Sequence, residues 1–449
     1  MNFLSFILHP SPFTLYLMST HTFARLRLAP DILPKHALGY YLSAMSGILL
    51  LTYMPQAQPL ILSDFLKVDG KEVGKISGDL GFYAELVALA TINLWGSWSD
   101  KVGRRLVYAL GFLLIAVGLL LAPLSSTLTQ FTLARLVFAL GASAVTGMIS
   151  TVIADYISGA DRGRAGGLQG IMNGVGALIT VFLLLRLPNI FQNSGLSAID
   201  AGRNAYWVVG GIALLSAILM MLMLKPGLAA RENDDNVPLT QLLREGARAA
   251  KDPAILLSYF ASFAARGDLA IVGTFFTLWV AQYATNVAGM NSPAALARAG
   301  VVVGVAQTFA LIGAPIIGIL SDKLKRIDAV ILAAAMGSVG YLSTIFVTDP
   351  LGISMFISAA LIGLGEVAGV IASGVLIAER APRQTRGSII GFFGLCGGIG
   401  ILIATKIGGI LFDVWRPAAP FILFGLAGII VVIYGLAIRN RVSPPSVSS

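Results

Sequence analysis

The chain has 449 residues, of which 56% are hydrophobic and only 12% charged, and its net charge is +9. A soluble globular chain has about 25% charged residues, so the composition excludes a set of soluble domains and indicates a polytopic membrane protein. Because the cations fall in short loops between apolar runs, we expect them to orient the chain in a bilayer and expect no nucleic-acid partner. Cys396 is the single cysteine, and no His, Cys and carboxylate side chains have metal-ligand spacing, so we expect neither a metal nor a cofactor.

Twelve apolar runs are long enough to cross a membrane, which takes about 20 residues in a helix. The sequence therefore predicts an all-α membrane protein with spans at 38–60, 79–97, 105–124, 129–157, 165–186, 205–224, 254–283, 299–320, 329–347, 351–377, 388–412 and 418–438. Residues 1–37 precede the first span as an N-terminal segment. We expect residues 1–17 to be dispensable, either as an interfacial segment or as translation upstream of a true start at Met18.

Alternate loops are rich in Lys and Arg, and by the positive-inside rule these loops and both termini are predicted to be cytoplasmic. The longest polar stretch between spans, 225–252, is the predicted cytoplasmic linker between two halves, 38–224 and 253–438, with a cytoplasmic tail at 439–449. Within this linker, residues 239–250 have helical spacing and predict a surface helix.

Two loops have nearly the same sequence. Residues 96–105, between spans two and three, contain a glycine, serine, aspartate and lysine that recur at 318–326, 222 residues later. A second pattern, an acid followed seven residues later by arginine and glycine, begins at Asp155 and again at Glu379, an offset of 224. Matched patterns at nearly one offset indicate a parallel duplication of a six-helix unit.

The loop at 96–105 resembles the signature of the major facilitator superfamily of secondary transporters. The signature is Gly-x-x-x-Asp-(Arg/Lys)-x-Gly-Arg-(Arg/Lys), met here by Gly96, Asp100, Lys101, Gly103, Arg104 and Arg105. The second copy departs from it, with Lys325 in place of the glycine and Ile327 in place of the last arginine. The resemblance covers about residues 38–438. It implies two pseudo-symmetric six-helix bundles, alternating access to a central site, and a monomer.

The resemblance also implies that the loop charges form a cytoplasmic gate that must open in every cycle. Exposed ion pairs of about 0–1 kcal/mol each suit such a switch. The alternative is that the charges only set topology and anchoring. The predicted gate residues are Gly96, Asp100, Arg104, Arg105, Asp155, Arg162, Asp322, Glu379 and Arg386.

Ionisable side chains at mid-membrane depth cost at least about 2.5–3.5 kcal/mol, so each is a candidate for function. The candidates for substrate binding or proton coupling are Glu85, Arg135, Arg266, Asp268 and Glu366. The resemblance implies that Asp268 and Glu366 face the central cavity. The alternatives are structural ion pairs, and for Arg135 a side chain that reaches the membrane surface, as we also expect for Lys406. The candidates for cavity lining are Tyr53, Gln56, Gln58, Thr277 and Gln282, with packing as the alternative.

These features predict a secondary active transporter of a small organic solute in the plasma (inner) membrane, working by proton-coupled symport. A drug or metabolite efflux antiporter is the alternative, although span five lacks the Gly-Pro pair that marks many drug/proton antiporters of this superfamily. A non-transporting sensor on the same fold is a third hypothesis. The sequence shows no nucleophile–base pair or phosphate-binding loop, so we do not expect an enzyme.

Overall fold

A computed structural model describes residues 22–227, 239–382 and 384–440. The expectations for residues 1–17 and for most of the 439–449 tail therefore concern residues outside the described part. Within the described residues the chain is almost entirely helical. The twelve long helices are α1 Pro34–Leu60, α2 Val73–Val102, α3 Arg104–Leu121, α4 Leu128–Tyr156, α5 Arg162–Phe182, α6 Ala198–Met223, α7 Pro253–Asn286, α8 Ser292–Lys323, α9 Arg326–Ser343, α10 Ile353–Arg380, α11 Arg386–Val414 and α12 Ala419–Ile438.

Among the described residues, eleven of these helices are both long and apolar enough to cross a membrane. The remaining one is α2, which has 30 residues and contains Lys75, Asp79 and Glu85 among its charged side chains. Its polarity has a structural reason, because α2 packs against α11 of the other half rather than facing only lipid. The predicted all-α polytopic fold is confirmed.

Side chains fix the starts of several helices. Thr127, Ser197, Asp252 and Asn291 each accept a backbone N–H from the first turn of α4, α6, α7 and α8, respectively. Such caps satisfy donors that helix ends leave free, and each is worth about 1 kcal/mol. Two helices are irregular: α1 passes into a π-helical turn at Ile61–Phe65, and α7 is interrupted by a second one at Val272–Phe276.

The helices form two bundles of six. In the first half α3 packs on α4 and α6, and α1 packs on α5; in the second, α9 packs on α10 and α12, and α7 packs on α10 and α11. The halves meet mainly where α2 contacts α11 and where α5 contacts α8. Small residues let these backbones approach closely.

Besides 3-10 turns at Ala122–Leu124, Gly159–Asp161, Leu184–Arg186 and Thr344–Phe346, the described fold includes a hairpin and two short helices. A two-stranded hairpin, β1 Thr22–Phe23 and β2 Leu26–Arg27, lies against the end of α4. A helix at Leu187–Asn193 precedes α6. The helix predicted within the linker is present at Leu239–Ala249, and it packs on the start of α11.

Candidate functional site

Among the described residues, the backbones of the two bundles approach most closely towards one membrane face. We call the face that carries the 96–105 loop the basic face, and the other the opposite face. Towards the opposite face, a Cβ atom added at Gly78 would overlap the Thr405 carbonyl oxygen, and one added at Gly300 would overlap that of Val181. Nearer the basic face, the same four helices have glycines where an added Cβ would meet nothing within 4 Å: Gly96, Gly170, Gly318 and Gly394. The space between the bundles is therefore open to the basic face.

Two polar contacts join α2 to α11 across the closed, opposite face. Lys406 Nζ lies 2.6 Å from Asp79 Oδ1, and the Asp413 carboxylate accepts the backbone N–H groups of Gly74 and Lys75 at 2.9 and 2.6 Å. Lys406 was expected only to reach the membrane surface, but it pairs with the other half of the molecule. The sequence signal was present, because Asp79 and Lys406 both lie about one helical turn or two inside the opposite-face ends of apolar spans.

Two further hydrogen bonds join the halves at this face. Gln282 Nε2 donates to the carbonyl oxygen of Gly70 at 2.9 Å, and Ser292 Oγ donates to Asp64 Oδ1 at 2.6 Å. Gln282, a candidate for cavity lining, therefore lies at the opposite face, against the connection between α1 and α2.

Glu85 on α2 and Arg266 on α7 belong to different bundles. Glu85 is half-buried, Arg266 is exposed, and the two charges interact electrostatically although no hydrogen bond joins them among the described residues. Of the five ionisable candidates, these two have opposite charges and come from different halves. They are the ones that border the open space between the bundles.

Asp268 and Glu366 lie inside the second bundle. They are only 9% and 4% exposed, and Asp268 Oδ1 and Glu366 Oε2 have no hydrogen-bond partner among the described residues. The two carboxyl groups interact electrostatically, and the buried Tyr341, whose hydroxyl also lacks a described partner, interacts with both. No ion pair to either carboxyl group is found among the described residues, and burial of two like charges in one bundle is unfavourable.

A cavity of about 20 Å³ lies beside Asp268, between α7, α9, α10 and α12. Its walls are mostly Gly and Ala, including Gly337, Gly365 and Gly369. Room for one water needs about 10–15 Å³. The resemblance implied that Asp268 faces the central cavity, whereas the structure places this small cavity within the second bundle.

Arg135 is buried in the first bundle. It is 6% exposed, lies over the Phe138 ring at 5.5 Å, and its Nε and Nη1 have no partner among the described residues. It interacts electrostatically with Tyr206, whose ring packs against Tyr53 at 5.3 Å. The lining candidates Tyr53, Gln56, Gln58 and Thr277 are also buried, each with a side-chain oxygen that has no described partner.

The predicted gate residues of the first half are joined within that half. Arg104 lies 2.6 Å from Asp100 on α2 and 3.0 Å from Asp155 on α4, and it also donates to Ser99. One guanidinium therefore connects the ends of α2, α3 and α4. For Arg105 and Arg162, no ion pair is found in the described part of the chain.

The second half repeats this contact with a residue that sequence reasoning left out. Arg326, at the start of α9, binds both carboxylate oxygens of Glu379 at 2.8 and 2.9 Å. It could have been identified from its place 222 residues after Arg104. Arg386 instead donates to the Ala378 carbonyl oxygen at 2.8 Å, and the Asp322 side chain falls outside the described part.

The N-terminal hairpin is bound at the basic face. Arg27 donates from its backbone N and its Nε to Asp161 Oδ2, at 3.0 and 2.9 Å. These hydrogen bonds from Arg27 hold the pKa of the Asp161 carboxyl below its usual range. The described part of the predicted 1–37 segment is thus attached to the loop after α4, a contact that no motif in the sequence indicated.

Comparison with known proteins identifies the class. The chain matches the Major Facilitator Superfamily over residues 36–358 and 311–449. It belongs to this superfamily of secondary transporters. It is 26% identical to the magnetosome protein MamH of Paramagnetospirillum magneticum over 415 residues, 91% of this chain and 93% of MamH. It is 24% identical to the multidrug resistance protein MdtG of Enterobacter lignolyticus over 420 residues, 90% of this chain and 91% of MdtG.

The fold is also that of solved transporters. The crystal structure of the nucleoside transporter NupG superposes with a TM-score of 0.67 at 14% identity, covering 90% of this chain and 99% of NupG. At that identity the likeness concerns the fold alone.

Proposed function

We propose that the protein is a proton-coupled symporter of a small organic solute that works as a monomer by alternating access. The observation that carries the coupling is the pair of buried carboxyl groups, Asp268 and Glu366, in the second bundle, for which no ion pair is found among the described residues. Because such a pair favours holding at least one proton, a change in its surroundings during the cycle would bind or release that proton.

The substrate would enter between the bundles, where Glu85 and Arg266 are accessible from the basic face. A carboxylate and a guanidinium on opposite bundles suit a solute with both hydrogen-bond donors and acceptors. Bridging them would draw the two bundles together at that face and so favour closure. Arg135, whose buried Nε and Nη1 have no hydrogen-bond partner among the described residues, is a further candidate for binding an anionic group.

The test is proton movement driven by substrate. Purified protein is reconstituted in liposomes with an internal pH dye, and pools of sugars, organic acids, amino acids and cationic drugs are added. We expect one pool to change the internal pH, and Glu366→Gln and Asp268→Asn each to abolish that change. Asp349→Asn, at an exposed loop carboxylate, is the matched control and should retain it. Transport that continues with no pH change in the unmodified protein would contradict proton coupling.

The efflux alternative is favoured by one comparison, the likeness to MdtG over nearly the whole chain. Inverted membrane vesicles distinguish the two. A symporter for uptake takes substrate into right-side-out liposomes together with protons. An efflux antiporter moves cationic drugs into inverted vesicles in exchange for protons. Binding of a solute with neither solute movement nor a change of internal pH would favour the sensor hypothesis.

We propose the plasma membrane as the location, with both termini in the cytoplasm, because the cation-rich loops lie on the face of the termini. Fluorescent fusions at either terminus should be bright in the cytoplasm and trace the cell outline. The relative MamH is named as a protein of an internal compartment, the magnetosome. Fluorescence on internal compartments would overturn the proposed plasma-membrane location.

A further inference from the structure

A larger cavity, of about 170 Å³, lies at the opposite face, where α1 and α7 end and α2 and α8 begin. One wall is apolar and is formed mainly by Pro59, Leu60 and Leu278. The other edge is polar and includes Gln282, Thr285 and Asn286. Asn286 is exposed, so the cavity is reachable from solvent at this face. It is distinct from the space between the bundles, which opens to the basic face.

The lining restricts the chemistry of what can bind. None of the described lining residues is charged, and the nearby Asp64 carboxylate already accepts hydrogen bonds from Ser63 Oγ at 3.0 Å and Ser292 Oγ at 2.6 Å. A cavity of roughly 150 Å³ holds a benzene ring. The Asn286 side chain makes no hydrogen bond among the described residues, so it is available to a ligand. The cavity therefore fits an uncharged, ring-sized molecule with a hydrogen-bonding group on one edge.

The walls come from both bundles. Pro59 and Leu60 belong to the first half, and Leu278, Thr285 and Asn286 belong to the second. When the bundles separate at the opposite face, these two walls part and the cavity is lost. A molecule that binds the cavity has no comparable site in the separated state, so it must shift the population towards the closed state.

We propose that this cavity is a regulatory site: a small uncharged ring compound with one hydroxyl or amide group binds from the opposite face and holds that face closed. The inference goes beyond the proposed symport. It needs the two bundles to move relative to each other, but it depends on neither the substrate nor proton coupling.

The test uses benzyl alcohol as the probe on purified protein in lipid nanodiscs. Nitroxide labels on cysteines placed at the exposed Lys71 and Ala288, in a Cys396→Ser background, report the distance across the opposite face. We expect benzyl alcohol to raise the thermal unfolding midpoint saturably and to increase the population at the short distance. Benzoate, which carries a charge, should do neither.

Two variants separate binding in the cavity from partitioning into lipid. Thr285→Phe fills the cavity and should abolish both effects, whereas Thr285→Ser preserves the space and should retain them. Asn286→Leu removes the polar edge, so the preference for benzyl alcohol over toluene should fall about tenfold, as expected for one lost hydrogen bond. A response that is unsaturable, or that persists in Thr285→Phe, overturns the proposal, as does the absence of any response in the unmodified protein.

Discussion

At the scale of single residues, Arg104 shows why arginine rather than lysine occupies the loop motif. Its guanidinium binds Asp100, Asp155 and Ser99 at once, and its side chain is 10% exposed. A lysine ammonium has the same charge but is a compact group that cannot match this forked geometry. The motif thus fixes three helix ends through one side chain.

We expect Arg104→Lys to lower the free energy of unfolding by about 1–3 kcal/mol, because a nearly buried, charge-assisted network loses bonds. Arg326→Lys is the matched change in the second half, where the side chains of Arg326 and Glu379 are 30% and 37% exposed. Solvent screening should make its effect smaller. Denaturant or thermal unfolding of both variants in detergent measures the difference. Equal decreases in the free energy of unfolding would show that burial does not determine the strength of the Arg104 and Arg326 ion pairs.

Asp161 leads to a prediction about pH. Arg27 holds the pKa of this carboxyl below its usual range, so the folded state favours the ionised form. The contribution of the contact to stability is complete above the usual carboxyl pKa, and it is lost as the pH falls through the lowered value. The protection of the hairpin amides against hydrogen exchange, measured relative to the intrinsic exchange rate at each pH, should therefore fall in acid. Asp161→Asn should exchange faster at neutral pH and lose most of that acid dependence; an unchanged pH profile in this variant would assign the effect to another group.

At the scale of elements, α2 and α11 form the main polar connection across the opposite face. The Lys406–Asp79 pair is partly exposed, with side chains 40% and 25% accessible, so we expect it to contribute about 0.3–1 kcal/mol to closure. Lys406→Gln should therefore raise the ratio of open to closed opposite face by about twofold to fivefold. Labels at positions 71 and 288 measure this ratio as a distance distribution.

The control for that prediction is the double variant Lys406→Gln with Asp79→Asn. If the pair acts by mutual attraction, the double variant should shift the distribution no further than the single ones. Additive shifts would mean that the two side chains act separately.

The sequence predicted the elements well because hydrophobic length and loop charge are local properties. All twelve predicted spans overlap observed helices, and the linker helix was also found. Contacts between segments far apart in the sequence depend on how the chain folds, and these were missed: Lys406 with Asp79, Arg326 with Glu379, and the hairpin on Asp161. For the same reason the sequence recognised Asp268 and Glu366 as unusual and placed them in one half, but it did not indicate that their side chains are buried inside that bundle instead of facing the central cavity.

At the scale of the whole molecule, glycines lie where the two halves are in contact. On α2, Gly78 is pressed against α11, while at Gly96, 18 residues further along the same helix, an added Cβ would meet nothing within 4 Å. In alternating access the two ends of the interface close in turn, so the glycine that is free in this conformation is expected to be in contact in the other one. The two glycines should therefore have opposite effects when they are enlarged.

We expect Gly78→Val to prevent close approach of α2 to α11 at the opposite face, because even a Cβ there would overlap the Thr405 carbonyl oxygen. The labels at positions 71 and 288 should then report mainly the longer distance. A Cβ at position 96 meets no atom within 4 Å in the present conformation, so Gly96→Val should leave it intact but should hinder closure at the basic face. Both variants should slow transport, for opposite reasons.

Gly211, where an added Cβ also meets nothing within 4 Å, provides the control, and Gly211→Val should leave the distances unchanged. If Gly78→Val and Gly96→Val move the distance distribution in the same direction, the two ends of this interface do not alternate.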